Sequence, residues 1–222
     1  MQKFETPDAI AAVVEIPTGR ISFLAGDHAE TTVEVRPVDA GKGRDVKAAE
    51  QTTVEFGDGV LRVIAPEAKN QVLSNPGSVE VTVQLPTGSR IEATSAAAQV
   101  RTVGRLGDVA VHGAHRRIEI ADVEGLHLTS VDGDVRVSRL GGPAEISTAR
   151  GGITIGEAVR GTLVLRTQHG DISIATASGA SATLDADARH GRVTNALRNN
   201  GSPVLEISAT SGNGDISARS LL

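Results

Sequence analysis

TQHGDISIA, residues 167–175, sets a glycine and an acid side by side and follows them with two isoleucines one residue apart. Nearly the same text stands at TSVDGDVRV (129–137) and TSGNGDISA (210–218). With the first apolar residue after the glycine-acid step as an anchor, the anchors fall at Val100, Ile118, Val135, Ile153, Ile172, Val193 and Ile216. Successive spacings are 18, 17, 18, 19, 21 and 23 residues. Two residues beyond each anchor stand Thr102, Ile120, Val137, Ile155, Ile174, Asn195 and Ala218, the period of a strand. Nine and seven residues before each anchor lies a second pair: Ile91/Ala93, Val109/Val111, Leu126/Leu128, Ala144/Ile146, Leu163/Leu165, Leu184/Ala186 and Ile207/Ala209.

Each repeat therefore holds two short strands and two turns. About 18 residues is too few for a strand-helix unit, and one such repeat cannot bury its own apolar face, so the copies must stack. The expected fold is all-β: a parallel β-helix (β-solenoid) of about seven rungs over 91–222, right-handed by the general crossover preference. Ile153 and Ile172 are expected in its core. The last rungs lengthen, and Asn195 and Ala218 enter core slots, as in terminal repeats.

Residues 1–90 read differently. Alternating segments at 11–16, 20–25, 31–36, 52–56, 60–65 and 78–86 predict an antiparallel β cap over the first rung. FGDGV (56–60) predicts a tight hairpin, DVKAAEQ (45–51) a helical turn, and 66–77 a loop. EIPTGRI (15–21) and QLPTGSRI (84–91) suggest one turn used twice. All three Phe (Phe4, Phe23, Phe56) fall here, and there is no Trp or Tyr, so the repeats must fill their core with Val, Ile, Leu and Ala.

Composition narrows the chemistry. The 222 residues suffice for a core without staples, and the absence of Cys removes disulfides and thiolate metal sites. A net charge of -5 with mixed signs gives no basic stripe for nucleic acid. No apolar run approaches the ~20 residues of a membrane helix. The N-terminus shows no charged region followed by a long apolar one, so the expectation is a cytoplasmic protein without membrane insertion.

The repeated acid invites a metal or catalytic reading. In a stacked register, the slot before the anchor reads Gln99, Arg117, Asp134, Gly152, Asp171, Arg192 and Asp215. Acids and arginines alternate there, which places Arg192 between Asp171 and Asp215 if sequence order is stack order. The outward slot after the anchor begins Arg101, Glu119, Arg136. Paired charges on a solvated face are the structural reading, each worth about 0.2–1 kcal/mol. Calcium needs six to eight converging oxygens. The adjacent glycines (Gly133, Gly151, Gly170, Gly191, Gly214) are expected at positive φ. His115, His169 and His190 share one slot three residues before an anchor, where His169 and His190 would neighbour each other. Two ligands without a third make no zinc centre, so they are read as polar turn residues. No nucleophile stands beside a base, no glycine loop opens a helix, and no insertions wall a cleft. The chain is therefore read as having no catalytic residues, no cofactor and no metal.

The block FETPDAIAAVVEIPTGRISFLAGDHAETTVEVRP (4–37), then AAEQTTVEF (48–56), RLGDVAV (105–111) and the serial GDV/GDI rungs resemble a bacterial β-strand-repeat family known as "putative adhesins", a domain of unknown function. The resemblance covers nearly the whole chain and implies a β-solenoid with no catalytic residues to carry over. The architecture is also similar to that of bactofilins, polymer-forming β-helix proteins. The expected role is a non-enzymatic scaffold or protein-interaction module. An adhesin-like surface binder is the alternative, and a polysaccharide-active enzyme the less favoured one. With nothing following GDISARSLL, the last rung is expected to offer an open edge. Ile216, Leu221 and Leu222 are then the candidate contacts of a homodimer, unless 195–203 fold over that end.

Overall fold

The computed structural model describes residues 1–66 and 77–222, with the backbone alone at 114–116. The loop expected at 66–77 therefore lies, except for its ends, outside the described residues, as does the His115 side chain. The chain forms two compact units, Met1–Arg116 and Arg117–Leu222. Both are β-structure, and the one helix among the described residues is short.

In the first unit the strands are β1 (Gln2–Glu5), β2 (Ala11–Gly26) and β3 (Glu30–Pro37), followed by the helix α1 (Gly43–Gln51). Then come β4 (Thr53–Gly57), β5 (Val60–Ile64), β6 (Val79–Pro86), β7 (Arg90–Val103) and the start of β8 (Arg105–Asp132). The hairpin at 56–60 forms as expected: Asp58 and Gly59 both take positive φ, the conformation a two-residue turn between right-twisted strands demands. The helical turn at 45–51 is most of α1.

An antiparallel cap over 1–90 needs correcting, because β2 makes parallel pairs. β1–β3, β3–β6 and β4–β5 are antiparallel. β2, however, runs parallel to β7 along one edge and parallel to β5 and then β6 along the other. The physical reason is in the pattern. Ala12, Val14, Ile21 and Phe23 stand at the four spacings of the repeat and pair with Ile91, Ala93, Val100 and Thr102. On the other edge the same four pair with Leu61, Val63, Val81 and Val83. All but Thr102 are apolar, and all twelve are buried. Residues 11–26 are thus a rung of the repeat, lying between an outer rung made of β5 and β6 and the rung at 90–103. The outer rung is itself closed by antiparallel β4 on β5 and β3 on β6. Phe23 is buried, and Phe4 packs against Phe56 with ring centroids 5.2 Å apart.

The second unit holds the end of β8, then β9 (Asp134–Leu140), β10 (Ala144–Arg150), β11 (Ile153–Ala158), β12 (Gly161–His169), β13 (Ile172–Thr176), β14 (Ala182–His190), β15 (Val193–Ala196), β16 (Leu205–Asn213) and β17 (Ile216–Ser220). Every pairing between them is parallel and in the register the anchors define. One column of strands runs β8–β10–β12–β16–β14. The other runs β8–β9–β11–β13–β17–β15. Ile153 and Ile172 are fully buried, as expected, with Ile118, Val135 and Ile216 at the equivalent slot.

Those columns correct the expected stacking order. The last rung in sequence, β16–β17, lies between β12–β13 and β14–β15. The rung at 182–196 is the outermost. Hence Asp215, not Arg192, neighbours Asp171, and Asn213 separates His169 from His190. Four of the five glycines expected at positive φ take it: Gly133, Gly151, Gly170 and Gly214; Gly191 does not. The conformation has a steric cause. A Cβ on Gly170 would collide with the carbonyl oxygen of Gly151 on the rung below.

Candidate interaction surface

The repeated aspartates are used by the backbone. Asp134 Oδ1 accepts the N–H of Gly152 at 3.0 Å, Asp171 Oδ1 that of Asp215 at 2.8 Å, and Asp215 Oδ1 that of Arg192 at 2.8 Å. Each carboxylate thus ties the start of its strand to the next rung, where the glycine corner leaves an amide without a ladder partner. A buried or half-buried amide left unpaired is costly, and a charged acceptor strengthens the bond.

A second device escaped the sequence reading. Five residues before the anchors stand Ser95, Gly113, Ser130, Thr148, Thr167, Ala188 and Ser211, and the five hydroxyl residues are all buried. In the second unit Ser130 Oγ donates to the Asp132 carbonyl, Thr148 Oγ1 to that of Arg150, Thr167 Oγ1 to Gly151 and Ser211 Oγ to Gly170. These hydroxyls satisfy corner carbonyls from inside the coil. The signal was legible as a fifth periodic column; it was missed because polar residues were not sought at inward-facing slots.

Along the exposed faces the arginines of the regular rungs are ion-paired: Arg117 with Glu119, Arg136 with Asp134, Arg139 with Asp122 and Glu157, Arg150 with Asp132, Arg160 with Glu124, and Arg166 with Glu145. Among the described residues Arg101 on β7, Glu206 on β16 and Arg219 on β17 form no ion pair, and neither does the outermost rung. No ion pair or side-chain hydrogen bond involves the side chains of Asp185, Asp187, Arg189 or Arg192 among the described residues.

Beside that rung a shallow polar depression of about 580 Å³ crosses the sheet face. Thr210 and Gly212 on β16 floor it, Arg166 and Gln168 on β12 form one side, and Asp187 and Arg189 on β14 the other. His169 and His190 lie at its rim on either side of Asn213. Among the described residues no three His, Asp or Glu side chains gather where a metal ion could be held. No helix among the described residues is long and apolar enough to cross a membrane.

The three residues expected at an open C-terminal edge are placed differently from one another. Ile216 is 0% exposed on β17, which is paired on both sides. Leu221 is half-buried and donates its N–H to the Thr176 carbonyl at 3.0 Å. Leu222 is 99% exposed. The open edge lies instead on β14 and β15, which among the described residues pair only with β16 and β17. The segment 197–204 covers that edge only at its start, where the Arg198 carbonyl accepts the Ala182 N–H at 3.0 Å; it then runs back to β16, held by the Arg198 N–H on Ser220 Oγ, the Asn200 N–H on Ser181 Oγ and the Val204 N–H on the Ser181 carbonyl.

Comparison with known proteins agrees with this architecture. The family model described as Toastrack DUF4097 matches residues 14–221, and the chain belongs to that family. No curated protein matches. A solved structure described as a putative adhesin from Bacteroides fragilis is 15% identical and superposes with a TM-score of 0.57, covering 98% of this chain and 95% of its own. Another putative adhesin, from Parabacteroides distasonis, is 15% identical with a TM-score of 0.49, covering 97% and 95%. At such identity the likeness to the Bacteroides fragilis protein is one of fold.

Proposed function

For this member of the Toastrack DUF4097 family, we propose a non-enzymatic β-solenoid scaffold that works by presenting exposed strand faces and one open strand edge to protein partners, its own copies included. The solenoid is read as right-handed, with about seven rungs over 91–222. The observation that carries this reading is what the periodic polar side chains do. Asp134, Asp171 and Asp215 accept backbone amides, and Ser130, Thr148, Thr167 and Ser211 donate to backbone carbonyls. Groups that would otherwise be candidates for chemistry are engaged in holding rungs together, which leaves the surface for recognition. The depression across β12, β16 and β14 is the recognition face this reading favours, because its arginine, glutamine, aspartate and histidine side chains flank Thr210 and Gly212 on β16.

A second reading is an adhesin-like surface binder, favoured by the fold shared with the Bacteroides fragilis protein. Fractionation of the native cell, with external protease added to intact cells, separates the two. Protection in the cytosolic fraction supports the internal scaffold, and cleavage from outside supports the adhesin. Sedimentation velocity of the purified chain at tens of micromolar tests self-association directly; a single monomeric boundary would remove that element.

A further inference from the structure

We propose that the outermost rung, 182–196, pairs edge to edge with the same rung of a second copy, β14 running antiparallel to its counterpart about a two-fold axis through Ala188, so that Asp187 of each chain faces Arg189 of the other. The proposal rests on the self-association reading above and specifies its surface.

Four observations lead there. Beyond Ala182, whose N–H is taken by the Arg198 carbonyl, the edge is open, since β14 and β15 have a strand neighbour on one side only among the described residues. The outer rung of the first unit, by contrast, is closed within the chain by antiparallel strands, β4 on β5 and β3 on β6. An antiparallel strand is therefore what an end rung of this repeat accepts.

The third observation is charge. From Arg117 to Arg166 the surface arginines of the second unit have acidic partners, whereas Asp187 and Arg189 have none. They stand two residues apart and so project from the same face of β14. In an antiparallel pair centred on Ala188, residue 187 lies opposite 189 twice, at cross-strand distances that opposite charges bridge readily. Centring the pair on Ala186 would set Asp185 against Asp187, a repulsive arrangement. Centring it on Asp187 pairs Asp185 with Arg189 but sets Asp187 against itself. Centred on Ala188 the charges match with no like pair on that face, as a closed two-fold contact requires.

The fourth is apolar. Leu184, Ala186 and Ala188 are half-buried and Val193 is 46% exposed, although their slots elsewhere in the repeat hold buried residues. A second copy would add cover on that side. The opposing idea is that charges on an edge strand guard it against pairing, a common use of such residues. Guarding needs charge alone; it does not need charges that match across a two-fold axis.

A charge-swap series in sedimentation velocity, at tens of micromolar protein and low salt, decides between them. The wild type is expected to dimerise. Asp187→Arg and Arg189→Asp each set like charges opposite and should weaken the dimer at least tenfold. The double variant Asp187→Arg/Arg189→Asp should regain it. Both side chains are exposed, so the far-ultraviolet circular dichroism of each variant should match the wild type and exclude misfolding. A wild-type dimer indifferent to all three variants would overturn this interface while leaving self-association standing. A wild-type monomer would overturn both, and dimerisation gained by a single swap would show the edge to be guarded.

Discussion

The two rungs nearest the C-terminus occupy the same four slots with different residues: Leu184, Ala186, Val193 and Asn195 in one, Ile207, Ala209, Ile216 and Ala218 in the other. The first set is half-buried or exposed; the second is buried throughout. The rung that comes later in the chain is the inner one. Decay of the repeat therefore follows place in the stack rather than place in the chain. A rung covered on both sides is held to apolar residues, while a rung covered on one side tolerates asparagine and short side chains. In the first unit 11–26 likewise lies inside, between β5 and β6 on one edge and 90–103 on the other. The C-terminal strand β17 is thus held along both edges, while the N-terminal β1 pairs with β3 alone among the described residues. A terminal strand held along two edges resists fraying better than one held along one.

The comparison can be broken most forcefully at the anchors. Ile216→Asp places an unpaired charge in an apolar interior and should cost about 3–5 kcal/mol or prevent folding, whereas Val193→Asp at the equivalent slot should stay within about 0.5 kcal/mol. Urea unfolding of the two variants gives both numbers. Equal losses would mean that the rungs are equally covered.

The glycine corners give a smaller contrast. Gly170 sits at φ 152° with the Gly151 carbonyl where its Cβ would go, while Gly179, at φ 77°, faces open space. Gly170→Ala should cost about 2–3 kcal/mol, combining backbone strain with the clash, and Gly179→Ala about 1 kcal/mol from strain alone. Thermal melts of the pair would rank them, and the reverse order would remove the close approach between rungs as the cause. Smaller again is the carboxylate. Asp171→Ala removes the acceptor of the Asp215 N–H and should cost about 1 kcal/mol. Calcium should leave the melting temperature of wild type unchanged. Micromolar calcium binding, abolished by Asp171→Ala, would contradict the structural role given to this residue.

Much of this was legible in the sequence. Period-2 alternation at four fixed offsets identified the strands, the register and the buried faces, because inward-facing slots admit few residue types. The FGDGV hairpin was legible because Asp58 and Gly59 tolerate the positive φ that a two-residue turn imposes. Stack order was not legible from the repeat itself, since any rung is compatible with any other: Asp171 can neighbour Arg192 or Asp215 with equal sense. Two weaker signals carried it. The spacing stretches to 23 residues before Ile216, the length needed to return past a rung, and Ala12, Val14, Ile21 and Phe23 already repeat the motif inside a region read as a cap. Ile216, Leu221 and Leu222 form an open contact only where the end of the chain is the end of the stack; Ile216 is buried because β17 lies one strand inside.

The order of the rungs is the central claim, and a chain without cysteine lets introduced thiols test it cleanly. Ser173 and Ser217 are paired in register with their hydroxyl oxygens 3.3 Å apart, whereas Thr194 lies one strand further out. Neighbouring strands are about 4.8 Å apart and alternate strands about twice that, beyond the ~7 Å limit of a disulfide. Ser173→Cys with Ser217→Cys should oxidise to an intramolecular disulfide, mapped by peptide mass, while Ser173→Cys with Thr194→Cys should remain reduced. A bridge between positions 173 and 194, with none between 173 and 217, would restore sequence order to the stack and contradict the inward placement of the C-terminal rung.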